Sequence, residues 1–286
     1  MSSEVLSPAT GLSLKCMEIW GGNEATNSVI AAAGIDGWVV SQPYGGDESG
    51  GDMHFVSTCG AGEIARFMIA DVSGHGKAAS EMAVKLRRLM RKHINRLDQT
   101  RFARDLNREF ASLAQEETFA TALLASYYGP TEHLIICNAG HPPPLWYHAE
   151  RGEWSFLRHT TSERAKTIAN LPLGVIEPTD YHQFAVPVEV GDLVLIYTDA
   201  LIEASDTDGR QLGGDGLLAQ VQRLDPADPD AFCDSLLSEI AAYRGHASAD
   251  DDATAVLLRP NGQRAPRQSI GEMIKVMGKM LGLVRV

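Results

Sequence analysis

An α+β fold is predicted by the blocked order of two hydrophobic rhythms along the chain and by the Gly-rich turns between its strands. Short β-prone runs come first, helical rhythms follow in a block, strand patterns return, and two more helices precede one last strand. Alternating βαβ units would not give this order. With 286 residues, 44% of them hydrophobic, the chain can bury a sizeable core as one large domain or two small ones.

Each element has its own justification. Residues 1–15 carry Ser, Pro and Gly without periodicity and are expected to be a flexible leader, with the folded unit spanning 16–260. Trp38-Val39-Val40, His54-Phe55-Val56 and Ile64 to Ala70 read as strands of an antiparallel meander. After Gly76 the period changes, and Ala79, Met82, Ala83, Leu86, Leu89, Met90, Ile94 and Leu97 recur at helical steps. Lys85, Arg88, Lys92 and Arg96 form the polar side of that helix and are expected to be a solvated face. Phe102, Leu106, Phe110 and Leu113 mark a second helix. Strand patterns return at 121–128, 133–137, 144–147, 181–186 and 191–197, helices are expected over 212–224 and 228–243, and a strand closes the domain at 253–259.

Composition removes several function classes. The 37 Asp+Glu against 25 Lys+Arg give a net charge of −12, which argues against nucleic acid as the main partner. Cys16, Cys59, Cys137 and Cys233 form no Cys-x-x-Cys pair or zinc-finger spacing, so free thiols in a reducing cytoplasm are expected. No secretion signal and no long apolar run for a membrane span are visible.

The chemistry shows in the aspartates. Asp71 ends the apolar run 67–70, Asp199 ends 193–198, Asp251-Asp252 stands just before 253–257, and Asp52 follows Gly50-Gly51 and is expected to open a strand. Carboxylates converging without His or Cys suit a hard, oxygen-preferring cation such as Mg²⁺ or Mn²⁺, and without one they would repel one another.

These stretches resemble the metal-dependent protein phosphatases of the 2C type (PPM), in their bacterial SpoIIE-like branch. Six motifs carry the resemblance in order: Gly50-Gly51-Asp52; Ile69-Ala70-Asp71-Val72-Ser73-Gly74-His75-Gly76; Asn138-Ala139-Gly140-His141-Pro142; Leu171-Pro172-Leu173-Gly174; Tyr197-Thr198-Asp199-Ala200; and Asp251-Asp252-Ala253-Thr254. The resemblance implies a four-layer α-β-β-α sandwich of two antiparallel sheets flanked by helices, with two Mn²⁺ or Mg²⁺ ions at one edge. It also implies that Asp71 bridges both ions, Asp52 and the Val72 carbonyl complete one, Asp199 and Asp251 hold the other, and Asp252 stands behind them. Hydrolysis by activated water, without a Cys or Ser nucleophile, follows from that implied pair.

His75 stands where a general acid is tempting, but the family's eukaryotic members carry their His two residues after the aspartate, where this chain has Ser73, so leaving-group protonation is unassigned. His141 reads equally as a hydrogen-bonded His closing a hairpin or as a residue touching substrate, and is left out of the catalytic set. Gly45-Gly46-Asp47-Glu48-Ser49 resembles the diguanylate cyclase GGDEF signature with Ser for Phe and is expected to be a plain loop, Asp47 being the reserve for Asp52. Ala200 replaces the family's usual Gly and could crowd the turn.

The implied activity is a cytoplasmic phosphoserine/phosphothreonine protein phosphatase acting on a STAS-type anti-sigma-factor antagonist, regulated by a separate chain or by the tail. A catalytically silent partner-binding protein and a phosphatase of a small metabolite are the competing readings. The tail, 261–286, has five basic residues against one acidic and a helical rhythm through Ile270, Met273, Ile274, Met277, Met280, Leu281 and Val284. It is expected to be an amphipathic regulatory or homodimerising element outside the catalytic fold.

Overall fold

The structure is a computed structural model that describes residues 10–14, 18–59, 62–114, 118–158, 169–245 and 251–264. Its strands in chain order are β1 (Thr10–Ser13), β2 (Ile19–Glu24), β3 (Thr26–Ala32), β4 (Ile35–Gln42), β5 (Ser49–Cys59), β6 (Ile64–Val72), β7 (Ala120–Tyr128), β8 (His133–Ala139), β9 (Leu145–His148), β10 (Glu153–Phe156), β11 (Gln183–Pro187), β12 (Leu193–Tyr197) and β13 (Ala253–Pro260). Helices α1 (Lys77–His93) and α2 (Gln99–Leu113) separate β6 from β7; α3 (Ala200–Glu203), α4 (Gly213–Val221) and α5 (Pro229–Arg244) separate β12 from β13.

Among the described residues one sheet has the order β1-β3-β4-β13-β12-β9-β10 and the other β11-β8-β7-β6-β5-β2. Their pleats explain the layering. On β6, Phe67 and Ile69 point between the sheets to meet Val39, Ile196 and Val256, while Met68 and Ala70 point outward onto α1 and α2. Both faces of β6 are buried, so it reads as a continuous apolar run rather than an alternation. Leu86, Phe102 and Phe110 seal the outer face of this sheet, and Phe232, Leu236 and Ile240 of α5 seal the other against Val40, Leu195 and Leu257. The four-layer α-β-β-α sandwich expected from the resemblance is the observed architecture.

Several expectations are corrected. Thr10–Ser13, inside the expected leader, forms β1 and pairs parallel with β3 in the register Leu12↔Ile30. The strand is too short for a readable alternation, yet it covers the open edge of β3. The sheets are therefore antiparallel except at that pair. β2, β3 and β10 escaped the reading because Gly, Asn and Ser interrupt their apolar positions. The first helix stops at His93, and Leu97 is 59% exposed in the connection. Asp98 then caps α2, its carboxylate accepting from the amides of Thr100 and Arg101. The expected basic face is partly paired with α2, Lys92 of α1 on Glu109 at 2.7 Å and Arg96 of the connection on Asp105 at 3.0 Å. Such surface pairs contribute at most about 1 kcal/mol each.

Among the described residues no helix is long and apolar enough to cross a membrane. Cys59, Cys137 and Cys233 are free thiols; burial pushes Cys137 and Cys233 up to about 12. Cys16 and most of the tail, from 265 onward, lie outside the described residues.

Candidate functional site

Strand ends from both sheets meet in one acidic cleft. The register of β5 against β6 places Asp52 directly opposite Asp71, and β6 against β7 continues that row to Thr121. Asp52 therefore does not open its strand but sits within it. From the facing sheet, β12 runs through Thr198 to Asp199 at the head of α3, and Asp251-Asp252 leads into β13. Thr198 joins the sheets, its hydroxyl donating to Asp52 Oδ2 at 2.8 Å and accepting from the Thr254 amide at 2.9 Å.

Electrostatically the cleft is under strain. Asp52 is 2% exposed and its Oδ1 has no hydrogen-bond partner. Burial first, then the Asp71 charge, holds its carboxyl well above the usual range. Burial, followed by Asp199 and Asp251, pushes Asp71 up to about 7. Asp199 is raised by burial and then by Glu203, and Asp251 mainly by burial. Like charges share a desolvated space and raise one another's protonation energies.

Asp252 organises the rim. Its Oδ1 accepts from the Tyr44 amide at 2.7 Å and its Oδ2 from the Gly51 amide at 2.6 Å. This is possible only beside glycines: a Cβ on Gly50 would lie 2.2 Å from Asp252 Oδ1, and one on Gly51 would lie 2.9 Å from the Val72 carbonyl oxygen. That pair thus clears space for a carboxylate and a carbonyl. Gly74 and Gly76 have φ of +88° and +75°, so the loop after Val72 needs glycine for conformation as well.

The orphaned Asp52 Oδ1, the mutual repulsion and the oxygen-only donors fit a hard divalent cation. Among the described residues no three Asp, Glu, His or Cys side chains are already gathered around one point. His75 is exposed at the rim with its ring 5.6 Å from that of Tyr44. His141 is buried: Asn138 closes its turn with two hydrogen bonds of 2.8 Å, and its Nδ1 pairs with Thr121 Oγ1 at 2.8 Å. Burial lowers this imidazole to about 3, so it stays neutral. Asp47 is an exposed residue ending the turn Tyr44–Gly46. Ala200 begins a right-handed helix, where a methyl group is accommodated at 6% exposure, so the expected crowding does not arise. Sequence reasoning missed Thr198 and Thr254 as supports of Asp52 and Thr121 as the partner of His141; only Thr198 carried a signal, a hydroxyl beside an acid at the end of an apolar strand.

The match to the family described as Stage II sporulation protein E (SpoIIE) spans residues 62–261. The chain belongs to the SpoIIE family. Asp71, Val72, Asp199 and Asp251 fall inside the matched range, and Asp52 precedes it. Phosphoserine phosphatase RsbP of Bacillus subtilis is 26% identical over 141 residues, covering 48% of this chain and 32% of RsbP. Phosphoserine phosphatase RsbU of the same organism is 27% identical over 166 residues, covering 56% of this chain and 45% of RsbU. This SpoIIE-family chain thus spans less than half the length of either relative. Its fold is that of the PP2C phosphatase domain of Bacillus subtilis SpoIIE, solved with a fragment of its regulatory domain, at a TM-score of 0.64 and 18% identity over 86% of this chain and 64% of that one. The SiaA PP2C domain of Pseudomonas aeruginosa gives a TM-score of 0.66 at 17% identity over 78% of this chain and 85% of the other. RsbX, solved in complex with magnesium, gives 0.59 at 16% identity over 82% of this chain and all of RsbX.

Proposed function

We propose that this protein is a metal-dependent protein phosphatase that hydrolyses phosphoserine and phosphothreonine. The observation that carries the reading is the facing pair of buried Asp52 and half-buried Asp71, near the charges of Asp199 and Asp251, with one Asp52 oxygen unpartnered. Family membership and the similarity to the phosphoserine phosphatases RsbP and RsbU support it. In this assignment Asp52, Asp71, the Val72 carbonyl, Asp199 and Asp251 would hold two Mn²⁺ or Mg²⁺ ions. When bound, the cations supply an activated water and neutralise phosphoryl oxygens.

The chain's own residues prepare that chemistry. Thr198 fixes which oxygen of Asp52 is free, Asp252 pins the Gly51 and Tyr44 backbone beside the cleft, and His141 holds Thr121 next to Asp71. Within this proposal the substrate is a phosphorylated STAS-type antagonist in a bacterial sigma-factor pathway, the location is the cytoplasm, and control comes from a separate chain or from the tail at 261–286, acting as a regulatory or homodimerising element.

Phosphate release from a serine-phosphorylated STAS-type protein, an aryl phosphate and phosphorylated sugars tests the substrate class. The phosphoprotein is expected to have the highest kcat/KM, and treatment of the enzyme with iodoacetamide should leave its turnover unchanged, since no thiol takes part. A sugar phosphate turned over tenfold better than the phosphoprotein would overturn the assignment in favour of a metabolite phosphatase.

A further inference from the structure

Beside the acidic cleft the surface presents large apolar side chains that the proposed chemistry does not use. Phe119 is 40% exposed, Val175 47% and Ile176 51%. Phe119 is tied to the cleft wall: its amide donates to Ser73 Oγ at 3.1 Å, and its carbonyl accepts from the Ser73 amide at 2.9 Å. Ser73 lies two residues after Asp71. The loop bearing Val175 and Ile176 is joined to the same segment by the Ala120–Leu173 bridge, and Gly174 approaches the Thr118 carbonyl so closely that a Cβ there would lie 3.1 Å from it.

The two exposed β-branched residues are held outward by a buried polar anchor. Asn107 is fully buried in α2, accepts from the Gly174 amide at 2.8 Å, and donates to the Ile176 carbonyl at 2.9 Å and to Glu177 at 2.6 Å. Thr179 donates to the Ile176 carbonyl at 2.6 Å as well. A buried amide satisfied on both ends costs little once paired, but it gives nothing for burying Val175 or Ile176. What it does give is a fixed apolar tip. Preorganised, exposed apolar surface next to a reactive cleft is what a macromolecular substrate can use, because no loop has to be ordered at binding.

Resting on the reading of the cleft as a phosphoprotein phosphatase, we infer that Phe119, Val175 and Ile176 form the docking surface for the folded protein substrate, which places an apolar side chain there while its phosphorylated residue enters between Asp71 and Asp199. The occupant is the phosphoprotein because Phe119 is hydrogen-bonded to Ser73, two residues from Asp71, and the loop bearing Val175 and Ile176 is bridged to the residue after Phe119. A phosphoryl group that enters the cleft carries the protein around it onto this rim, whereas a small phosphate ester does not reach it.

The test compares wild type, the double variant Val175→Asp/Ile176→Asp and the conservative variant Ile176→Leu on two substrates: an aryl phosphate and a serine-phosphorylated STAS-type protein. Since both side chains are about half exposed, the charged variant is expected to fold. Docking predicts a rise of tenfold or more in KM for the phosphoprotein with kcat retained, aryl phosphate turnover within twofold of wild type, and wild-type behaviour for Ile176→Leu. Equal kcat/KM of wild type and the double variant on the phosphoprotein would overturn the inference, as would an equal fall on both substrates in folded enzyme. Wild type that turns over the aryl phosphate but not the phosphoprotein overturns it too. Failure of wild type on both substrates rejects the proposed activity itself.

Discussion

Asp71→Asn is expected to reduce aryl phosphate turnover below about a tenth of the wild-type rate, a loss of at least about 1.4 kcal/mol of transition-state stabilisation, while making the chelator-stripped protein more stable. The two effects have one cause. Asp71 sits opposite Asp52 and near Asp199 and Asp251, and burial with these charges pushes its carboxyl up to about 7 from an ordinary value near 3.8. Between those values the folded chain holds a proton that the unfolded chain has released, so stability falls as pH rises from about 4 to about 7 and stays low above it. Asn carries no charge and escapes this penalty. The variant should therefore melt a few degrees above wild type at pH 7.5, on the scale of 2–4 °C per ~1 kcal/mol for a domain of this size, and the difference should vanish at pH 4. Turnover and melting curves at both pH values check this. A variant that keeps most of its activity, or melts lower at pH 7.5, would contradict the placement of Asp71 at the centre of the acidic cluster.

Gly50→Ala should be the most damaging single methyl group near the cleft. The added Cβ would lie 2.2 Å from Asp252 Oδ1 and 2.4 Å from its Cγ, and Asp252 cannot yield cheaply. It is 5% exposed and accepts two backbone amides, from Tyr44 and Gly51. Moving it strands those donors and a buried carboxylate, a cost of about 2–4 kcal/mol from the loss of charge-assisted hydrogen bonds. Turnover should fall by more than tenfold in the fraction that folds, because the Gly51-Asp52 backbone moves with its anchor. Urea unfolding and turnover per folded molecule measure the two parts. A Gly50→Ala protein of wild-type stability would show that Asp252 is free to relocate and does not organise the rim.

Why Gly50-Gly51 matters was not legible in the sequence. Two adjacent glycines before an acid read as a turn, which put Asp52 at the start of a strand. In the fold they lie inside β5, where Gly50 clears space for Asp252 and Gly51 for the Val72 carbonyl. The aspartates themselves were legible because four sites in one chain, Asp71 and Asp199 just after an apolar run and Asp52 and Asp251 just before one, share a placement that isolated turn acids do not. Their supports were not. Thr198 reaches Asp52 across 146 residues of sequence, and only the stacking of the two sheets creates that contact. The same reason hid β1, whose pairing with β3 comes from an open edge rather than from its own pattern. The amphipathic helices were readable from period alone, except at the end of α1, where the apolar rhythm through Leu97 outlasts the packing it suggests.

The central claim is that the acidic cleft acts through divalent cations, and restoring metal to stripped enzyme tests it most directly. Aryl phosphate turnover would be followed as Mn²⁺ is titrated into protein freed of metal by chelator. The carboxylate arrangement predicts negligible turnover at the start and a saturable rise with added Mn²⁺, reversed by excess chelator. Turnover at the full rate in chelator, in protein verified to be metal-free, would contradict it.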